Sequence, residues 1–328
     1  MVPFRPAQGR PVTWRDGFGT RFTVFVDTEE EFDWRAPFRH DGWGVSAVAA
    51  LPAAHRRFAG HGVQSCYLVD YPVASDPAAI DALRGVVADG HATIGAQLHP
   101  WVNPPFDEAL TAHSSFAGNL PPALEAAKLD RLTDALTRIT GARPNVYRAG
   151  RYGLGPATLG LLAARGYALD SSMRARYDYR AQGGPDYRAI GNDAFHTGPG
   201  EGIVELPLTT VFTGRLRRGG QRLYKGAGRV PRGRGVLARL GLLHRVALTP
   251  EDMPLADALE AVRVAVGEGV RVLNFAYHSP SLVPGHTPYV RDAADLAAFW
   301  RWWDAVLSLL GKLHVQSASP DDILAAAT

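Results

Sequence analysis

The chain has 328 residues, of which 46% are apolar and 20% charged, with a formal net charge of +3. That size and composition suit a globular protein with a sizeable core, as one large domain or two smaller ones, and the charge balance by itself gives no ground for a nucleic-acid partner. The single cysteine, Cys66, excludes an intramolecular disulfide and a cysteine-rich metal site, and no run of about 18 apolar residues offers a membrane-spanning helix.

Residues 1–20 read as an irregular lead-in without the apolar core of a signal peptide, so the expected compartment is cytoplasmic. Arg21–Val26 is rich in β-branched and aromatic residues with little alternation, as in a parallel strand covered on both faces. It runs straight into Asp27-Thr28-Glu29-Glu30-Glu31 and ends at Trp34. Carboxylates at the end of a buried strand are costly unless they serve a site, and ligands of parallel α/β folds collect at such ends. The competing reading is a solvated acidic loop.

Val45–Phe58 follows with helical spacing and a break near Pro52, then strand Val63–Val69, in which Cys66 reads as a buried thiol. Ala78–Ala88 is a helix capped by Asp76-Pro77, and Thr93–Leu98 a strand. Leu120 opens the longest helical pattern, closed by Gly141 and Pro144. Val146-Tyr147, Tyr167–Asp170, Ile203–Leu208 and Val270–Tyr277 read as strands, with helices at Ala157–Arg165 and Leu255–Val266. Asp295–Leu310 is a terminal helix with Trp303 on its apolar face, before a short strand at Leu313–Gln316 and a helix at Asp321–Ala327. Strands alternating with helices imply βαβ units, and about seven strands without a linker suit a closed or nearly closed barrel better than an open doubly wound sheet.

Residues from about 210 to 250 stand apart. No acidic residue lies between Glu205 and Glu251, while nine arginines and Lys225 do. This reads as a basic insertion, either a solvated loop or a face for an anionic substrate, lipid phosphate or membrane surface. Nucleic acid is not expected, since Phe212 and Tyr224 are the aromatics of the span.

Polar residues recur at strand ends: Asp27 and Glu29, Gln97 and His99, Arg148, Asp170, and His278. In a parallel barrel these ends share one face and can converge on an active site. The set resembles the polysaccharide deacetylases of the NodB-like type, carbohydrate esterase family 4, in the branch whose first motif reads D-x-E. The resemblance runs from about Phe22 to Gln316, apart from the basic insertion.

The resemblance implies an α/β fold, a distorted (β/α)7-type barrel in a single domain from residue 21 to 328. It also implies metal-dependent hydrolysis of an acetyl group from a sugar or a polysaccharide precursor. On that reading Asp27 is the base, Glu29 a metal ligand, Arg148 the residue that positions the base, His278 the general acid, and Asp170 the acid that tunes it. Gly90-His91 and Ile94-Gly95 resemble the start of the second motif, G-H-E-I-G-x-H. There the sequence departs from the family: the two histidine positions hold Gln97 and Trp101, and the nearby imidazole is His99. On a strand Gln97 and His99 share a face. An amide oxygen is a poorer zinc ligand than imidazole, which lowers the expected metal affinity.

Zinc is the first choice of metal, with cobalt, manganese or nickel as alternatives, and His40, His113 or Glu30 are candidates to complete the shell. Trp101 and Tyr152 are candidates to stack on a sugar, and His286 to line the cleft. Glu30, Glu31 and Asp33 otherwise read as solvated or paired with nearby arginines, and His91 as a turn residue. The substrate implied is a carbohydrate or a lipid-linked sugar. Gln97 keeps open a metal-free carbohydrate- or glycolipid-binding member of the fold, and glycosidic hydrolysis by Asp27 and Glu29 ranks last.

Overall fold

The computed structural model describes residues 4–33 and 36–328. The first three residues of the expected lead-in, and Trp34, lie outside that description. Seven parallel strands form the barrel wall: β1 (Arg21–Thr28), β2 (Ser65–Val69), β3 (Ala92–Leu98), β4 (Val146–Ala149), β5 (Leu169–Asp170), β6 (Ile203–Glu205) and β7 (Val272–His278). Their order in the sheet is β6-β5-β4-β3-β2-β1-β7. The apolar run of β1 is buried from Phe22 to Thr28 because it sits between β2 and β7 with layers on both faces.

The wall is open between β6 and β7, and the following chain bridges the gap. Pairing of β6 ends at Glu205, short of the expected Leu208, where Pro207 has no N–H to give a ladder. Thr209 then bonds Asn274 through its backbone N–H (3.3 Å) and its hydroxyl (2.9 Å), and Leu248 links Thr209 to Ala276 by two bonds of 3.1 Å. The expected lead-in is partly ordered into the sheet: Arg10–Pro11 pairs with Phe195–Thr197, which pairs with the outer edge of β6.

The helices follow the sequence closely. Pro77–Val87 is capped by the Asp76 carboxylate, which accepts from the Ala79 N–H at 2.9 Å. Pro122–Thr140 ends on Gly141, whose φ of 77° is the left-handed cap that glycine supplies without strain. The break near Pro52 is a change from a 3-10 turn, Ser46–Ala50, to the helix Leu51–Ala59, with Pro52 in the first turn, where a missing N–H costs little. Ala293–Lys312 packs Trp302 and Trp303 against Phe275 of β7. Cys66 is buried in β2, and burial pushes its thiol far above the ordinary range.

The basic insertion is a folded hairpin. Thr210–Thr213 and His244–Ala247 form an antiparallel ribbon with Val211 and Val246 buried. The helices Gly220–Ala227 and Gly233–Arg239 project beyond it.

Candidate active site

The carboxyl ends of β1, β3, β4 and β7 surround a cavity of about 340 Å³ lined by Asp27, Glu29, Gln97, His99, Arg148 and His278, among others. Asp27 and His278 stand side by side in register on β1 and β7. Gln97 and Arg148 do the same on β3 and β4.

Asp27 is fixed by Arg148, whose Nη1 donates to Asp27 Oδ1 at 2.6 Å. The rest of that guanidinium is anchored by the Ser171 carbonyl (2.9 Å) and hydroxyl (3.0 Å). Both partners are buried, so the charge-assisted bond holds Asp27 in one orientation. His278 Nε2 lies 3.7 Å from Asp27 Oδ2. Its Nδ1 bonds Glu251 Oε2 at 2.6 Å. Burial alone would depress the imidazole, but the carboxylates of Glu251, Glu29 and Asp27 outweigh it and raise His278 to about 10.

The carboxylate that holds His278 is therefore Glu251, which follows the basic hairpin, and not Asp170, where the resemblance placed that contact. Asp170 is engaged elsewhere: it accepts from the Ser172 hydroxyl at 2.5 Å and stands in register beside Glu205 on the next strand. Burial pushes Asp170 to about 6 and Glu205 well above the carboxylate range, with Asp170 adding to the rise of Glu205. Glu251 carries one signal in the sequence, as the acid that ends the acid-free span.

Glu29 and His99 meet across the cavity floor, with Glu29 Oε2 3.5 Å from His99 Nε2 and 3.4 Å from the Gln97 amide nitrogen. Burial raises Glu29 to about 8, with Glu30 and Asp27 adding to it against the pull of His278 and His99. Glu30 is not solvated: it is 1% exposed, and its Oε2 meets His99 Nδ1 at 2.8 Å while its Oε1 accepts from Trp101 Nε1 at 2.7 Å. Asp70 accepts the Glu30 backbone N–H at 2.7 Å.

Trp101 is 1% exposed and stacks on the His99 ring at 4.4 Å, so it packs behind the histidine and offers no face to a sugar. Tyr152 does line the cavity. His286 lies instead in a neighbouring cavity of about 660 Å³, 3.4 Å from Glu31 Oε2. His40 bonds the Trp101 carbonyl, His113 faces Asn119, and His91 bonds Gln64; none of the three is in the cavity wall. Gly150, just after β4, backs the imidazole of His99: a Cβ built there would overlap the ring and stand 2.7 Å from the Leu98 carbonyl oxygen.

Two donor sets fit a divalent cation. Glu30, Asp70 and His99 bring one donor atom each within 4.8 Å of one another, a buried group that could hold a metal. All four carboxylate oxygens of that group already accept hydrogen bonds or face an imidazole nitrogen. The second set, Glu29, His99 Nε2 and Gln97, faces the cavity. Donors about 2.1 Å from a tetrahedrally held zinc stand ~3.4 Å apart, close to the separations of Glu29 from His99 and Gln97. Gln97 Oε1 is buried with no partner among the described residues, and exchange of the amide atoms would turn it to Glu29's side. With Nδ1 of His99 bound to Glu30, its Nε2 is left to face the cavity, the arrangement that orients a ligating histidine.

No protein-family model matches the sequence, and no curated protein matches it. Solved structures do match the fold. A provisionally assigned polysaccharide deacetylase from Mycobacterium smegmatis is 17% identical, with 97% of this chain and 93% of that one covered at a TM-score of 0.55. A 4-alpha-glucanotransferase from Thermococcus litoralis is 10% identical at a TM-score of 0.54, over 94% of this chain and 41% of its own. The chain thus shares its fold, end to end, with a protein assigned as a polysaccharide deacetylase. Because a glucanotransferase uses the same scaffold, the chemistry must be argued from the residues of the site.

Proposed function

We propose that the protein is a hydrolase that removes an acetyl group from the nitrogen of an N-acetylated sugar. The observation that carries this reading is the Asp27–Arg148 pair at 2.6 Å with His278 Nε2 3.7 Å from the same carboxylate. A carboxylate held by Arg148 and an imidazole kept protonated stand side by side at the wall of one cavity. Water attacks the acetyl carbonyl carbon, and Asp27 takes the proton that water gives up. His278, protonated at neutral pH, delivers a proton to the leaving nitrogen as the carbon–nitrogen bond breaks, releasing acetate and a free amine. Glu251 holds the imidazolium in place, and Arg148 holds Asp27.

Glu29, His99 and Gln97 are the residues that would hold a divalent metal at the cavity floor, with zinc the best match to their donors. Such an ion polarises the acyl oxygen and lowers the pKa of bound water. The burial of Glu29 supports the assignment, since a carboxylate raised to about 8 is one short of a nearby cation.

The basic hairpin supports a membrane-facing role. Leu216, Leu223, Val230, Val236 and Leu240, on the hairpin, are 42–65% exposed among its arginines, a combination suited to an anionic lipid surface. A lipid-linked sugar is the substrate this would bring to the cavity.

Acetate release from N-acetylated sugar oligomers, with and without added zinc, tests the reading. Asp27→Asn and His278→Ala should each abolish it, and activity retained in either folded variant would remove these roles. Gln97, which stands where the family resemblance expects histidine, favours a second reading: a glycan-binding protein without hydrolysis. Stoichiometric zinc dependent on His99 counts against that alternative.

A further inference from the structure

The cavity has a second wall of opposite sign. Facing the catalytic carboxylates stand Arg151 and Arg174, with Tyr152, Tyr179 and Gln182 beside them. Neither guanidinium has a carboxylate partner among the described residues. Arg151 Nη2 donates to Gln182 Oε1 at 2.8 Å, its Nη1 donates to the Ser115 hydroxyl, and its guanidinium lies 4.2 Å from the centre of the Phe116 ring. Arg174 lies 3.8 Å from the centre of the Tyr177 ring and 5.6 Å from that of Tyr152, and its Nε is buried without a partner.

A guanidinium cannot shed its proton, so two of them at a half-buried wall, neither in an ion pair among the described residues, carry an unmet electrostatic cost. Stacking on tyrosine recovers part of that cost, but the planar fork is best matched by an oxyanion. The backbone adds an independent sign. Arg151 and Tyr152 are successive non-glycine residues in the left-handed region, with φ of 55° and 59°, and such strain concentrates where a ligand is gripped. The positive wall also continues outward: Arg245 lies 3.6 Å from the Tyr177 ring centre and 4.8 Å from that of Tyr224, and Arg234 4.4 Å from the latter. The adjoining cavity beyond Arg174 carries Glu251 and Asp252, which keeps an anion on the Arg151 side.

We propose that Arg151 and Arg174 form a subsite for an oxyanion on the substrate, so that the acetylated sugar carries a phosphate or a carboxylate. That the anion belongs to a substrate rests on the deacetylase reading; the anion site stands without it.

The test is calorimetric binding to the full chain of N-acetylglucosamine, its 1-phosphate, N-acetylmuramic acid and inorganic phosphate, with acetate release followed on the three sugars. At least one anionic sugar should bind about tenfold or more tightly than N-acetylglucosamine, as two added charge-assisted bonds would give. The phosphate and muramate arms tell which oxyanion is preferred. Arg174→Gln should erase the preference and Arg174→Lys keep part of it, since the charge remains while the fork is lost; Arg151→Gln should reduce it, and it serves if Arg174→Gln fails to fold. Equal affinity for all three sugars, no binding of any probe, or a preference unchanged in Arg174→Gln overturns the subsite, whatever the acetate assay gives. An Arg174-dependent preference without acetate from any sugar keeps the subsite and sinks the hydrolase.

Discussion

Glu251 grips His278 at two points: its Oε2 lies 2.6 Å from the imidazole Nδ1, and its Oε1 accepts the His278 backbone N–H at 3.1 Å. The same Oε1 takes the Ser281 hydroxyl at 2.6 Å. The carboxylate thus fixes both the charge and the position of the imidazole, and if His278 is the general acid we propose, removal of Glu251 should be legible in a pH profile. With His278 raised to about 10, the rate should hold through neutrality and fall as the pH passes 10. Glu251→Gln should bring that alkaline limb down by at least about one pH unit. An unmoved limb would show that His278 is not the titrating acid.

The same shift bears on stability. The folded pKa of His278 lies above its ordinary 6.5, so the folded state binds the proton more tightly than the unfolded state. Its contribution is fully present below pH 6.5 and is lost as the pH rises towards 10. Urea denaturation should therefore find wild type losing stability relative to His278→Gln across that window; parallel curves would refute the linkage.

Asp27→Asn removes a base and also leaves the buried Arg148 without its counter-charge. Acetate release should be abolished, a loss of at least about 10²-fold to 10⁴-fold. Stability should drop by roughly 3 kcal/mol, the usual scale for breaking a buried pair from one side. Asp27→Asn combined with Arg148→Met should cost less than the two single changes added. Strict additivity in denaturation experiments would mean that the pair is not coupled.

The two metal-compatible sets respond differently to mutation. If the ion sits on Glu29, Gln97 and His99, then Gln97→His should raise zinc affinity at least about tenfold, an imidazole replacing an amide. Glu30→Gln, which disturbs only the partner of His99, should lower it by about 10-fold to 100-fold. An ion on Glu30, Asp70 and His99 would ignore Gln97→His and be lost with Glu30→Gln. Competition against a chromogenic chelator distinguishes the two patterns.

Arg217, Arg218 and Arg222 lie at the outer end of the basic hairpin beside the exposed Leu216 and Leu223. Sedimentation with phosphatidylcholine vesicles containing phosphatidylglycerol should carry the protein down, and pure phosphatidylcholine should not. Reversing the three charges to glutamate should weaken binding by at least about 100-fold, at roughly 1 kcal/mol for each basic residue. Binding that is indifferent to the anionic lipid would dismiss the membrane face.

Much of this was legible in the sequence. The strand ends announced Asp27, Glu29, His99, Arg148 and His278, because a buried parallel strand that ends in a polar side chain has few other reasons to do so. What stayed hidden depended on side-chain direction or on distance along the chain. Glu251 reaches His278 across 27 residues from a loop with no periodicity to place it. Glu30 looked like its solvated neighbour Glu31, and only the inward turn after β1 separates them. Trp101 was legible as a residue near the site, but not that its indole faces away from the cavity and binds Glu30. Asp170 shared the strand-end signal with the residues that line the cavity, yet its side chain lies outside the cavity wall and binds Ser172.

Gly150 gives the site a constraint of a different kind. The imidazole of His99 rests against bare backbone, and a single methyl there would occupy the same space as the ring. The position therefore has no functional group to lose and almost no freedom to vary. A mutational survey that weights residues by their chemistry would pass over it, although the smallest possible enlargement, to alanine, should displace the His99 imidazole as effectively as replacing it. In this barrel the tolerance of the active site to drift is governed by vacant volume as much as by charge.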